Sequence, residues 1–100
     1  MEYSSQINGS ACIISFNGQM TFSDNDTIRT VISEIEGGDF TSCSIDLSEL
    51  TSIDSAGLGM LLLINDASTD CGKSLEISGA AGQVEKMLEI SKFGEVLTIR

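Results

Sequence analysis

The chain contains no histidine, no proline and no tryptophan, and only five of its 100 residues are Lys or Arg. Each absence narrows the chemistry. Without histidine, a Ser-His-Asp triad and a Cys-His nucleophile are excluded, and zinc is an improbable cofactor. Without proline, nothing breaks a helix from within. Five cations face fifteen carboxylates, for a net charge of −10. No cluster of Lys and Arg is present to hold nucleic acid or an anionic membrane surface. Such acidity favours a soluble, monomeric chain. The longest uninterrupted apolar run, Met60 to Ile64, falls far short of the ~20 residues that span a bilayer. The opening residues MEYSSQINGS have neither the basic nor the apolar region of a signal peptide. A cytoplasmic location is expected.

Cysteine is scarce too. Cys12, Cys43 and Cys71 are odd in number, far apart and without CxxC spacing. They read as reduced thiols acting as small apolar residues. No metal and no cofactor is expected.

What is present is a core. Hydrophobic residues make up 41% of the chain, too many for disorder, and the length suits one domain over residues 1–100. Two short apolar runs, Tyr3–Ile7 and Ala11–Phe16, flank Asn8-Gly9, a hairpin signal because both turn residues tolerate positive φ. Gly18 is expected to close the second strand. Ile28, Val31, Ile32 and Ile35 share one helical face. Ser23, Asp24 or Asp26 can cap that helix, and Gly37-Gly38 stops it. Residues 42–47 form a third strand, followed by a loop. Ala56–Ser68 reads as a helix, Ser74–Ser78 as a strand, and Gln83–Ser91 as a helix with Val84, Met87, Leu88 and Ser91 on one face. Glu95–Ile99 reads as the last strand. The order β-β-α-β-α-β-α-β implies an α/β fold with a mostly parallel sheet and an antiparallel N-terminal hairpin.

The informative stretch is SIDSAGLGMLLLI, residues 52–64. Ser55 is expected as a helix N-cap, its hydroxyl taking the amide of Gly57 or Leu58, with Asp54 near the positive helix end. A capped helix is the plain reading. A site is the other, because the pair lies at the carboxyl end of a parallel strand. Gly57 and Gly59 each cost about 1 kcal/mol in a helix, an arrangement suited to a surface that approaches closely. Leu58, Leu61 and Leu62 mark one apolar face, and Met60, Leu63, Ile64 and Ala67 a neighbouring one; one of them packs on the sheet and the other on a helix or a partner. The stretch is neither a P-loop, since it lacks the GKS/T ending, nor a GxSxG elbow. Gly79-Ala80-Ala81-Gly82 reads as a packing turn.

The segment IDLSELTSIDSAGLGMLLLI resembles the signature of STAS domains, in particular the bacterial anti-sigma factor antagonists. Asp46-Leu47 ends a strand, and Asp54-Ser55-Ala56-Gly57-Leu58-Gly59 opens a helix. FNGQMTFSDND resembles the second landmark of that family, Gly-x-[LMF]-[DT] before a helix. Many members carry GELD there; Gly18-Gln19-Met20-Thr21 stands here, with Thr21 in place of the acidic residue. The chain stops at Arg100, without the C-terminal helix of longer members. The resemblance implies a STAS fold of about five strands and three helices. It also implies a partner switch. An unphosphorylated chain would bind an anti-sigma factor that is also a HATPase-type serine kinase. Phosphorylation of Ser55 would end binding, and a PP2C-type phosphatase would reverse it. Asp54, Ser55, Ala56, Gly57, Leu58, Gly59, Met60, Thr21 and Ser23 would form the partner surface. STAS subunits that regulate transporter ATPases, or other non-sigma targets, are the alternative. An enzyme or nucleotide binder is the third reading, and the missing histidine and few cations argue against it.

Overall fold

The computed structural model describes all 100 residues. Two strands, β1 (Glu2–Asn8) and β2 (Ala11–Met20), form the expected hairpin, antiparallel from Glu2↔Asn17 to Asn8↔Ala11. Asn8 pairs with Ala11, so the two loop residues are Gly9, at φ +65°, and Ser10. Then come α1 (Asn25–Gly37), β3 (Ser42–Ile53), α2 (Ser55–Asp70), β4 (Ser74–Ser78), α3 (Gly82–Ile90) and β5 (Thr98–Ile99). The sheet runs β1-β2-β3-β4-β5 in chain order, parallel from β2 onward. Each β-α-β unit steps the same way across the sheet, so right-handed crossovers place the helices on one face.

Strand alternation explains the two faces. In register, Ile14, Ile45, Ile77 and Ile99 cross β2 to β5 as one isoleucine row. The first three are fully buried. One residue along, Ser4, Ser15, Asp46 and Ser78 form a polar row on the opposite face. From above the apolar rows, α1 contributes buried Ile28, Val31 and Ile35, with Ile32 half-buried at the margin. The α2 helix contributes Leu58, Met60, Leu61 and Ile64, and α3 contributes Val84 and Leu88. Both apolar faces read from α2 are therefore spent on the core, apart from Leu63, which is 52% exposed. Burial at roughly 25 cal/mol per Å² of apolar surface is the main favourable term. Cys12 and Cys43 are buried register partners, while Cys71 is exposed. Burial pushes the Cys43 thiol up to about 12, with the Cys12 thiol beside it acting in the same sense.

Several expectations need correction. The hairpin turn is Gly9-Ser10, one residue on from Asn8-Gly9, because Asn8 pairs with Ala11. Gly18 does not end β2: it sits at φ +88° where the β2–β3 register shifts, and the strand continues to Met20. Glycine permits that irregularity because a Cβ disfavours positive φ. The expected loop after residue 47 is strand, since β3 runs on to Ile53 beside β2. The last strand is only Thr98–Ile99, because Phe93–Glu95 closes as a 3₁₀ turn that buries Phe93. Ser91 caps α3 from outside the helix and is exposed.

Candidate functional site

The lengthened strands decide where the Asp54-Ser55 pair stands. Both β2 and β3 extend past the hairpin to Met20 and Ile53, and the chain turns into α2 at the carboxyl ends of these two strands. Asp54 is fixed through every polar group it has. Its N–H donates to the Met20 carbonyl at 3.2 Å, and its own carbonyl accepts from Leu58 N–H at 3.1 Å. Its carboxylate Oδ1 accepts from Gly57 N–H at 2.8 Å. The cap is therefore Asp54, not Ser55, and α2 begins one residue earlier than expected. The extended backbone of Asp54 (φ −101°, ψ −178°) suits a carboxylate that reaches the third amide of the helix. Ser55 is left as the first helical residue, exposed, with its hydroxyl free of the capping role.

The far side of β3 has no strand here, because pairing with β4 ends at Asp46↔Ser78. Gln83, from the first turn of α3, replaces that strand. Its Oε1 accepts from Ile53 N–H and its Nε2 donates to the Ile53 carbonyl, both at 2.9 Å. The residue just before the Asp54-Ser55 pair is thus clasped on both main-chain groups. Sequence reading missed Gln83; only its place at a helix start after a glycine-rich turn hinted at a role.

The two glycines separate. Gly57 is buried, and a Cβ there would meet Ile53 Cγ1 at 2.5 Å and the Met20 carbonyl oxygen at 2.8 Å. Its close approach is internal, between α2 and the end of β2. Gly59 is exposed, and a Cβ there would meet nothing within 4 Å. Leu58 and Met60 point into the core and Ala56 is half-buried. The surface stripe of α2 is Ser55, Gly59 and Leu63, at four-residue intervals.

Thr21 and Ser23 belong to the connection after β2, which closes as a 3₁₀ turn at Phe22–Asp24. Their hydroxyls lie 2.8 Å apart. Asp24 stands at the N-cap position of α1 but turns its carboxylate back: Oδ2 accepts from Thr21 N–H at 2.8 Å and Oδ1 meets the Met1 ammonium at 3.2 Å. Burial pushes the Asp24 carboxyl up, yet the Thr21 N–H and the Met1 ammonium outweigh it and hold it below the usual carboxylate range. Thr21 is half-buried and Ser23 exposed. Phe22 between them is 73% exposed, and sequence reading passed over it.

No three His, Cys, Asp or Glu side chains gather as metal ligands. The largest hollow, about 530 Å³, is lined by Ala80, Leu88, Ile99 and neighbouring charged residues of α3 and the C-terminus, and no residue of the Asp54-Ser55 corner takes part in it. The corner, by contrast, sets a free, exposed hydroxyl beside a fixed helix cap. No helix is long and apolar enough to cross a membrane.

The family model of the STAS domain matches residues 2–100, and the chain belongs to that family. No curated protein matches it in sequence. Among solved structures, the Bacillus cell fate determinant SpoIIAA in its phosphorylated form is similar at 18% identity and TM-score 0.73, over 99% of this chain and 91% of that one. An anti-sigma factor antagonist from Mycobacterium paratuberculosis is similar at 11% identity and TM-score 0.85, over 98% and 83%. The STAS domain of a SulP transporter from Vibrio cholerae is similar at 16% identity and TM-score 0.73, over 95% and 77%. These likenesses show a shared fold.

Proposed function

We propose that the chain is an anti-sigma factor antagonist whose docking to a protein partner is switched by phosphorylation of Ser55. The observation that carries the reading is the free, exposed hydroxyl of Ser55 directly after a capping Asp54. Because the carboxylate takes the Gly57 N–H, the helix is capped whether or not the serine is modified. A phosphate on Ser55 adds about −1.5 to −2 charge at pH 7. The first-turn N–H groups of Ser55 and Ala56 have no acceptor within the helix, so the protein itself tolerates that charge. A partner seated over the corner does not, because it would bury the phosphate beside Asp54. The switch is thus local and needs no refolding.

In this reading the partner is an anti-sigma factor that is also a HATPase-type serine kinase, and a PP2C-type phosphatase restores the hydroxyl. The chain is a cytoplasmic, monomeric, non-catalytic binding module of one STAS domain over residues 1–100, without cofactor. Asp54, Ser55, Gly59, Thr21 and Ser23 form its contact surface. Ala56, Gly57, Leu58 and Met60 hold that surface from beneath. The test is intact-mass spectrometry after incubation with such a kinase and ATP. A single phosphoryl gain, absent in Ser55→Ala, is expected; no gain, or an equal gain in Ser55→Ala, would sink the reading. The likeness to the Vibrio cholerae transporter domain favours a second reading, a regulatory subunit of a transporter with Ser55 unmodified. The same experiment separates the two.

A further inference from the structure

Four of the five aromatic side chains are taken into the fold: Phe16, Phe40 and Phe93 are buried, and Tyr3 is half-buried against Phe16. Phe22 alone stands 73% in water. It does not hang on a loose loop. Its turn is closed by Asp24 N–H to the Thr21 carbonyl at 2.9 Å and by Thr21 N–H to the Asp24 carboxylate at 2.8 Å. The turn is tied to the Ser55 corner as well, since Asp54 N–H bonds Met20, two residues before Phe22. A large apolar ring on a fixed backbone, at the margin of a proposed docking surface, has the properties of an interface anchor: much area, little ordering cost. Leu63, 52% exposed on the stripe of Ser55 and Gly59, offers a second apolar contact.

The charge around the ring selects the occupant. Exposed Asp26 follows the Phe22 turn and exposed Asp54 precedes Ser55, while the cation held at that turn, the Met1 ammonium, is paired with Asp24. A second copy would bring the same carboxylates against these. A protein that offers an apolar cleft rimmed by Lys and Arg complements them. We infer that Phe22 is the apolar anchor of the docking surface, inserted into a basic-rimmed cleft of the kinase partner. It supplies affinity, while Ser55 supplies the switch. The inference rests on the function proposed above and assigns the role of this residue within it.

The test titrates the purified anti-sigma factor kinase that phosphorylates Ser55 into wild type, Phe22→Ala, Phe22→Leu and Ser55→Asp by calorimetry, at low and high salt. Phe22→Ala is expected to weaken binding about tenfold or more and Phe22→Leu by less, with melting curves like wild type because the ring is mostly in water. Binding of every competent variant is expected to fall as salt rises. If Phe22→Ala binds like wild type while Ser55→Asp does not, the anchor is refuted and the switch survives. If Ser55→Asp also binds like wild type, the functional reading fails and the anchor with it. Binding unaffected by salt refutes the basic rim. A wild-type dimer in sedimentation that Phe22→Ala converts to monomer would put a second copy on the ring and overturn the assignment.

Discussion

The Gln83 side-chain amide clasps the main chain of Ile53 with two 2.9 Å hydrogen bonds: its Oε1 accepts from the Ile53 N–H and its Nε2 donates to the Ile53 carbonyl. One side chain thereby does the work of a missing strand at the residue that precedes the Asp54-Ser55 corner. Ile53 is buried, so its main-chain groups depend on that amide. Gln83→Ala is expected to destabilise the fold by about 1–3 kcal/mol, the cost of leaving buried polar groups unpaired. Gln83→Glu keeps an acceptor but loses the donor, and should fall between. Urea unfolding checks both; a midpoint equal to wild type in Gln83→Ala would remove the clasp from the account.

The two glycines of the motif should respond to alanine with opposite signs. Gly57→Ala places a methyl 2.8 Å from the Met20 carbonyl oxygen, and overpacking of this kind costs about 1–3 kcal/mol. Gly59→Ala meets open space and gains up to about 1 kcal/mol of helix propensity. Thermal melts of the two single variants decide it. Equal shifts of one sign would contradict the different environments described for them.

Asp24 makes stability depend on acid. Its carboxyl is held below the usual range by Thr21 and the Met1 ammonium. A group whose folded pKa is depressed contributes stability above its unfolded pKa and loses it as pH falls through the folded value. Wild type is therefore expected to lose stability below the ordinary carboxylate range, and Asp24→Asn to show a shallower decline there. Identical pH profiles of stability in the two chains would refute the Asp24 contribution.

Ser68 is fully buried in α2 with a hydroxyl that has no hydrogen-bond partner. Removing an unpaired buried hydroxyl recovers about 1–3 kcal/mol of desolvation, less the small gap it leaves. Ser68→Ala is expected to raise the melting temperature. A fall would mean that the hydroxyl is satisfied in solution.

The isoleucine periodicity of α1 and the Asn8-Gly9 signal were enough to place that helix and the hairpin, because each depends on neighbours a few residues away. The ends of β2 and β3 were not legible. Gly18 carries a turn signal, yet its positive φ serves an irregularity inside a strand, and only its pairing with Leu50 of β3 reveals that. Asp54 and Ser55 are both good caps, and choosing between them needs the backbone angle at the helix entry. Gln83 and Phe22 were invisible for a like reason: the role of a lone amide or a lone ring depends on what the fold brings beside it, or leaves uncovered.

The central claim, that the Ser55 hydroxyl gates docking, is tested most directly by titrating the kinase partner into the same purified chain before and after enzymatic phosphorylation. The account predicts that the phosphorylated chain keeps its circular dichroism and melting behaviour but binds at least about tenfold more weakly, and that phosphatase treatment restores binding. Undiminished binding by a chain shown by mass to carry phosphate on Ser55 would contradict it.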